Sequence, residues 1–387
     1  MDTPRFLADL RELVECESPS SDLAAVARSA DVVARVGAAH LGAPPERIVL
    51  DGRTHLRWRL GGGPGRVLLL GHHDTVWPLG TLATHPFSVE DGVVRGPGCF
   101  DMLTGLVMAF HALASLKGAS DLDGVTVLVT GDEELGSPSS RGLIEDEARR
   151  VSAALVLEAS ADGGALKTER KGVSLYDVRL VGRAAHAGLE PERGVNATLE
   201  LAHQALAVAA LADPALGTTV TPTAARAGTT TNTVPAEGSF AVDVRVRTVA
   251  EQDRVDAAIR SLAPVRPGAE VVVSGGPNRP PLEESASAAL FARARVLAAG
   301  LGLPDLTEAG VGGASDGNFT AGVGTPTLDG LGAVGGGAHA AHEHVLLDAV
   351  PGRTALLARL VTDLLDDASD EQSAATNDLE PTGAARP

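Results

Sequence analysis

Short, uninterrupted apolar runs alternate with longer stretches of helical spacing along the first 160 residues. Residues 66–71 (RVLLLG) are apolar throughout except for the leading arginine, the pattern of a strand covered on both faces. Residues 124–134 (GVTVLVTGDEE) and 153–160 (AALVLEAS) repeat the pattern, each with an acidic end, and residues 103–116 (LTGLVMAFHALASL), between the first and second of these three runs, have helical character. Strands that alternate with helices predict an α/β domain with a parallel or mixed sheet. At the N-terminus, Thr3-Pro4 reads as the cap and first turn of an amphipathic helix.

The period changes near Lys171. Residues 173–182 (VSLYDVRLVG) alternate as a half-exposed strand does, 194–212 are helical, 218–228 and 238–248 alternate again, 250–263 are helical, and 269–276 (AEVVVSGG) close the set. The order strand-helix-strand-strand-helix-strand is a split βαβ layer, with one sheet face left open. Residues 277–281 (PNRPP) mark a return to the first domain, which then has a helix at 285–302, a Gly-rich region and a last helix at 350–367. The expected organisation is a first catalytic part at 1–171, an inserted layer at 172–283, a second catalytic part at 284–368, and a polar tail without periodicity at 369–387, read as disordered.

Composition narrows the classes. Hydrophobic residues make up 44% of the 387 but aromatics only 3%, so the core must be built from Ala, Val and Leu. The formal charge of −18 argues against nucleic acid and anionic membranes as partners. Two cysteines, Cys16 and Cys99, make no disulfide framework and suit a reducing compartment. No leader-like segment and no run of 18 apolar residues is evident, so the expected location is the cytoplasm.

Candidate chemistry collects where the apolar runs end. In residues 67–78 (VLLLGHHDTVWP), an extended backbone puts His72 and Asp74 on one side and His73 on the other. That suits a ligating histidine with a carboxylate to orient it, although a polar strand end tied by local hydrogen bonds reads the same way. Asp101 in GPGCFDM precedes a helix and is equally an N-cap by position. Glu133 and Glu134 stand side by side after a strand, so one can bind a cation while the other stays available as a base; a solvated acidic loop is the alternative. Glu158 ends another strand, and His339 follows three glycines in GGGAHAAHE, where missing side chains let backbone pack closely.

Taken in order, His72, Asp101, Glu133-Glu134, Glu158 and His339 resemble the M20 metallopeptidase family, in particular its glutamate carboxypeptidase-like branch. The resemblance runs over nearly the whole chain, the inserted layer included. It implies two Zn²⁺ per chain, with Co²⁺ or Mn²⁺ also suited to such ligands. Asp101 would bridge them, His72 and Glu158 would complete one site, and Glu134 and His339 the other. Glu133 would be the general base and Asp74 would orient His72.

In the insert, GRAAHAG resembles the family's lid histidine motif, so His186 would reach the partner subunit's site in a homodimer formed through the lid. Asn232, Arg245 and Arg279 match positions that contact substrate carbonyl or carboxylate, and residues 312–319 (GGASDGNF) a supporting loop. The implied activity is hydrolysis of an amide next to a free carboxylate, releasing an amino acid such as glutamate. The substrate would be a small peptide or an N-acyl amino acid. An N-acyl-amino-acid amidohydrolase or dipeptidase on the same machinery is the alternative, and a non-catalytic homologue is disfavoured by the intact ligand set. Leu103-Thr104 and Ala340 depart from the family's usual Lys-Gly and Ser/Thr, which leaves the subfamily open; Cys99 inside the bridging motif reads as packing.

Overall fold

The computed structural model describes residues 1–116 and 122–377. The chain divides into two compact units, one of residues 1–168, 284–310 and 315–387, the other of 169–283 and 311–314.

The first unit is built on a six-stranded mixed sheet in the order Glu46–Leu50, Arg53–Leu60, Val125–Thr130, Val67–His72, Ala153–Val156, Thr327–Leu328. The first two strands form an antiparallel hairpin that also pairs antiparallel with Val125–Thr130. The next three neighbours, Val125–Thr130, Val67–His72 and Ala153–Val156, run parallel, and every residue in them is buried. This is why they read as continuous apolar runs rather than as alternation.

Three helices matter below: α1 (Thr3–Val14), α2 (Leu23–Leu41) and α3 (Thr104–Leu116). Asp2 rather than Thr3 caps α1, its carboxylate accepting from the Arg5 N–H at 3.2 Å, and Asp22 caps α2. Leu106, Val107, Phe110 and Leu113 of α3 are fully buried, with Trp58 edge-on to Phe110 at 5.5 Å. The stretch Cys99–Leu116 is long and apolar enough to cross a membrane by length and composition, contrary to the expectation that no run reaches that length, but most of it is buried in this core. The helix Val350–Asn377 extends past the expected helix end at 367 and into the tail expected to be disordered from 369. Alanine, glutamate and glutamine in 368–377 favour prolonging a helix already nucleated upstream. The rest of the expected tail, 378–387, lies outside the described residues.

The second unit is a four-stranded antiparallel sheet in the order Thr219–Ala227, Glu237–Val246, Gly172–Val181, Glu270–Arg279. Numbered along the chain its strands lie 2-3-1-4, the split βαβ order. Helices Ala197–Ala209 and Val249–Arg260 pack on one face, burying Val178, Leu180, Phe240, Val242, Val244, Val255 and Ile259. The alternate residues Leu175, Asp177 and Arg179 point away from that core and are exposed.

Candidate metal centre

Parallel register brings the acidic and histidine residues together. His72 is paired with Thr130 and Leu70 with Val156, so the ends of three adjacent strands stop at the same edge of the sheet. Glu133-Glu134 follow Thr130 by three residues and Glu158 follows Val156 by two, the offset that sets it level with His72. Ligand sites in such sheets form beyond the carboxyl ends of the strands. Asp101 enters from a kinked segment, Cys99–Leu103, ahead of α3, with φ −114° and ψ 95°; its peptide bond to Met102 is cis. His339 sits at φ 61° in the loop after the glycines. A Cβ on Gly335 would lie 2.0 Å from the carbonyl oxygen of His344, so the loop closes this tightly only with glycine there.

The side chains form two ligand groups that share one carboxylate: His72, Asp101 and Glu158, and Asp101, Glu134 and His339. Asp101 Oδ1 faces His72 Nε2 at 3.5 Å and Oδ2 faces His339 Nε2 at 3.2 Å. Glu158 Oε1 is 3.5 Å from His72 Nε2, and Glu134 Oε1 3.2 Å from His339 Nε2. His72 Nε2 is buried and makes no hydrogen bond among the described residues. Two donors bound to one Zn²⁺ at 2.0–2.1 Å in tetrahedral geometry stand about 3.3 Å apart, so these spacings fit a shared cation and the orphaned nitrogen has a reason.

The charges agree. Burial pushes the His72 ring toward neutrality, yet Asp101, Asp74 and Glu158 outweigh it and hold its pKa well above the ordinary value. His339 is pushed up to about 10 by Asp101 and Glu134. Burial opposes ionisation of Asp101, but His339 and His72 hold its carboxyl far below the usual range, while burial raises Glu134. Acids and imidazoles this close need positive charge between them, which protons or a divalent cation supply.

Asp74 works differently from expectation. The His72 Nδ1–H is held by the backbone carbonyl of Asp74 at 2.9 Å, with the carboxylate at 3.5 Å. The carboxylate instead accepts from Ser20 Oγ at 2.6 Å and from the backbone N–H groups of Glu133 and Glu134 at 3.2 Å each. One residue thus orients the first ligand and fixes the Glu-Glu turn. His73 faces away, as alternation requires, and is a satisfied core histidine bonded to Ser29 Oγ and the Thr54 carbonyl, with burial lowering its pKa to about 4.

Three supports had no part in the sequence reading as site residues. Glu343, buried, accepts from the backbone N–H groups of Gly98, Phe100 and Asp101 at 3.0, 2.9 and 3.0 Å and from Trp77 Nε1 at 2.7 Å, pinning the Asp101 segment. It lies in the same quoted run as His339, which was its only signal. Asp132 accepts from the backbone and hydroxyls of Ser139 and Ser140, closing the loop after Glu134. Asp316, in the loop expected to give support, accepts from Thr130 Oγ1 at 3.1 Å and from Ser137 Oγ. Leu103 and Thr104 are buried outside both ligand groups, and Cys99 is buried as packing.

Glu343→Gln sets an amide NH₂ against backbone donors that a carboxylate satisfied. We expect metal affinity at the centre to fall ~10–100-fold, the usual cost of losing a group that positions a ligand. Competition with a chelator measures it; an unchanged affinity contradicts this role.

In the second unit, His186 and Asn232 are neighbours. Ala185–His186 pairs with Thr233–Val234, and the Ala187 N–H donates to the Asn232 carbonyl at 2.9 Å. His186 Nδ1 accepts from the N–H groups of Gly188 and Leu189 at 3.1 Å each. That fixes the tautomer with the proton on Nε2, an exposed donor. Arg245 spends its fork on Asp243, two residues away on the same sheet face, at 2.8 and 2.9 Å. Arg279 is buried at the end of its strand, where its carbonyl accepts from Gln252 Nε2.

Two metal-ligand groups joined by one carboxylate, at the ends of parallel strands, belong to the class of metal-dependent peptidases and amidohydrolases. The chain matches Peptidase family M20/M25/M40 over residues 68–363 and belongs to the M20 family. It is 34% identical over 318 residues to carboxypeptidase G2 of Pseudomonas sp. (strain RS-16), covering 79% of this chain and 75% of that one. It is 31% identical over 160 residues to acetylornithine deacetylase of Proteus mirabilis, 40% of each chain. In fold it resembles aminopeptidase PepT from Bacillus cereus, with TM-score 0.74 at 21% identity over 94% of this chain and 99% of that one. It also resembles the M20 family metallo-carboxypeptidase Sso-CP2 from Sulfolobus solfataricus, with TM-score 0.69 at 16% identity over 94% and 99%.

Proposed function

We propose that the chain is a hydrolase with two zinc ions per subunit that cleaves an amide bond next to a free carboxylate and releases a C-terminal amino acid such as glutamate. The observation that carries this reading is Asp101, which faces one ligand group with each oxygen while Glu133 belongs to neither group. The extent of the match to a carboxypeptidase supports the bond type. Ions bound there supply Lewis acidity toward the scissile carbonyl and a water of lowered pKa.

The remaining work falls to the chain's own residues. Glu133 takes the proton of the attacking water and returns it to the leaving amine. His186, with its proton on Nε2, donates to the developing oxyanion from the partner subunit of a homodimer formed through the second unit, whose sheet leaves one face uncovered by helices. Asn232 and Arg279 hold the substrate's carbonyl and carboxylate. Arg245 joins them only by giving up Asp243. A second reading, removal of an acyl group from an N-acyl amino acid, is favoured by the match to acetylornithine deacetylase. A panel of dipeptides and N-acyl amino acids, each with its C-terminal carboxylate free or amidated, decides between them by the amine released. Turnover of the amidated forms equal to the free acids overturns the carboxylate requirement.

A further inference from the structure

Three helices of the first unit meet at a second cluster of ligating side chains. Asp9 on α1, His40 on α2 and His111 on α3 place Asp9 Oδ2 2.7 Å from His40 Nε2 and 2.9 Å from His111 Nε2. One ligand atom from each lies within 4.8 Å of the others. None of these residues is part of the Asp101 centre, and nothing in the hydrolytic reaction calls on them.

Their arrangement is more specific than a buried polar patch requires. Both imidazoles aim the same nitrogen at the same carboxylate oxygen, so three donors converge on a point instead of spreading over the two oxygens. The rings lie 4.2 Å apart, centroid to centroid, and Phe6 packs edge-on to His111 at 5.4 Å, which holds the rings in place. The side chains of His40 and His111 are 4% and 8% exposed and Asp9 is 18% exposed, so the cluster is nearly dry with one side open to a water. Among the described residues Asp9, half-buried, forms no ion pair with lysine or arginine. Its hydrogen-bonded side-chain partners among the described residues are the two imidazoles.

We propose that Asp9, His40 and His111 bind a further divalent transition-metal ion, Zn²⁺ by preference, which ties α1, α2 and α3 together. Two imidazoles and one carboxylate with room for a water are a donor set for zinc and its neighbours, and not for Mg²⁺ or Ca²⁺, which take oxygen ligands. The donors must separate by roughly half an ångström to reach the spacing of a tetrahedral shell. Side-chain rotation on three separate helices supplies that without moving the backbone.

The test counts metal in the full-length protein after equilibration with Zn²⁺ and removal of loosely held ions. His111→Gln is expected to hold one Zn²⁺ fewer than wild type while keeping hydrolytic activity, because it leaves the Asp101 centre untouched. That difference does not depend on how many ions the Asp101 centre holds or on what it hydrolyses. Asp101→Ala, which dismantles the other centre, is expected to keep one Zn²⁺ and to lose it when His111→Gln is added. Equal metal content in wild type and His111→Gln overturns the proposal. Should His111→Gln fail to fold, an Asp101→Ala protein that binds no Zn²⁺ overturns it as well.

Discussion

Glu133→Gln is expected to lower kcat by ~10²–10⁴-fold, the range typical of a lost general base, with fold and metal content unchanged. The physical ground is the division of labour between two adjacent carboxylates. Both backbone N–H groups are anchored on Asp74, so the turn is rigid, yet only Glu134 joins a ligand group. Glutamine keeps the shape and an acceptor oxygen but has no charge with which to take a proton from water. The comparison must be made at matched metal loading, so that weak binding of metal is not mistaken for slow chemistry. Near-wild-type turnover in the loaded variant assigns the base elsewhere.

His186→Ala is the second large effect. An oxyanion donor acts in the transition state more than in the ground state, so kcat is expected to drop ~10²–10³-fold while KM changes little. Holding Nδ1 with two backbone N–H groups orients the ring before substrate arrives. The trans arrangement makes a sharper demand. Mixed with Glu133→Gln, itself nearly inactive, His186→Ala is expected to recover activity, because one of the two sites in each hybrid dimer then has both groups. Random exchange yields hybrids in half the dimers, so about a quarter of wild-type activity returns. Hybrid dimers verified by mass spectrometry yet still inactive show that His186 does not serve the neighbouring subunit.

Much of this molecule was legible in the chain because the signals were redundant. The three buried parallel strands read as unbroken apolar runs, and each leads into His72, Glu133-Glu134 or Glu158. The second unit was legible from the change to alternation near Lys171, since its sheet is covered on one face only. What the sequence hid were pairings set by tertiary register. Nothing local indicates that the Asp74 carboxylate anchors the Glu133 turn 59 residues away while its carbonyl holds His72. Glu343 is likewise one charged residue in a polar loop until the fold brings three N–H groups of the Asp101 segment and the Trp77 indole to it. Arg245 shows the reverse: a strand arginine reads as available, and its partner Asp243 is concealed by lying two residues away on the same face.

The central claim is that one carboxylate joins two metal sites, and metal stoichiometry in paired variants tests it most directly. Asp101 contributes to both ligand groups, whereas His339 contributes to one. Elemental analysis of Asp101→Ala is therefore expected to show two metal equivalents fewer per chain than wild type, and His339→Ala one fewer. Equal losses in the two variants, or an Asp101→Ala protein that keeps its full complement, would contradict the shared-carboxylate centre.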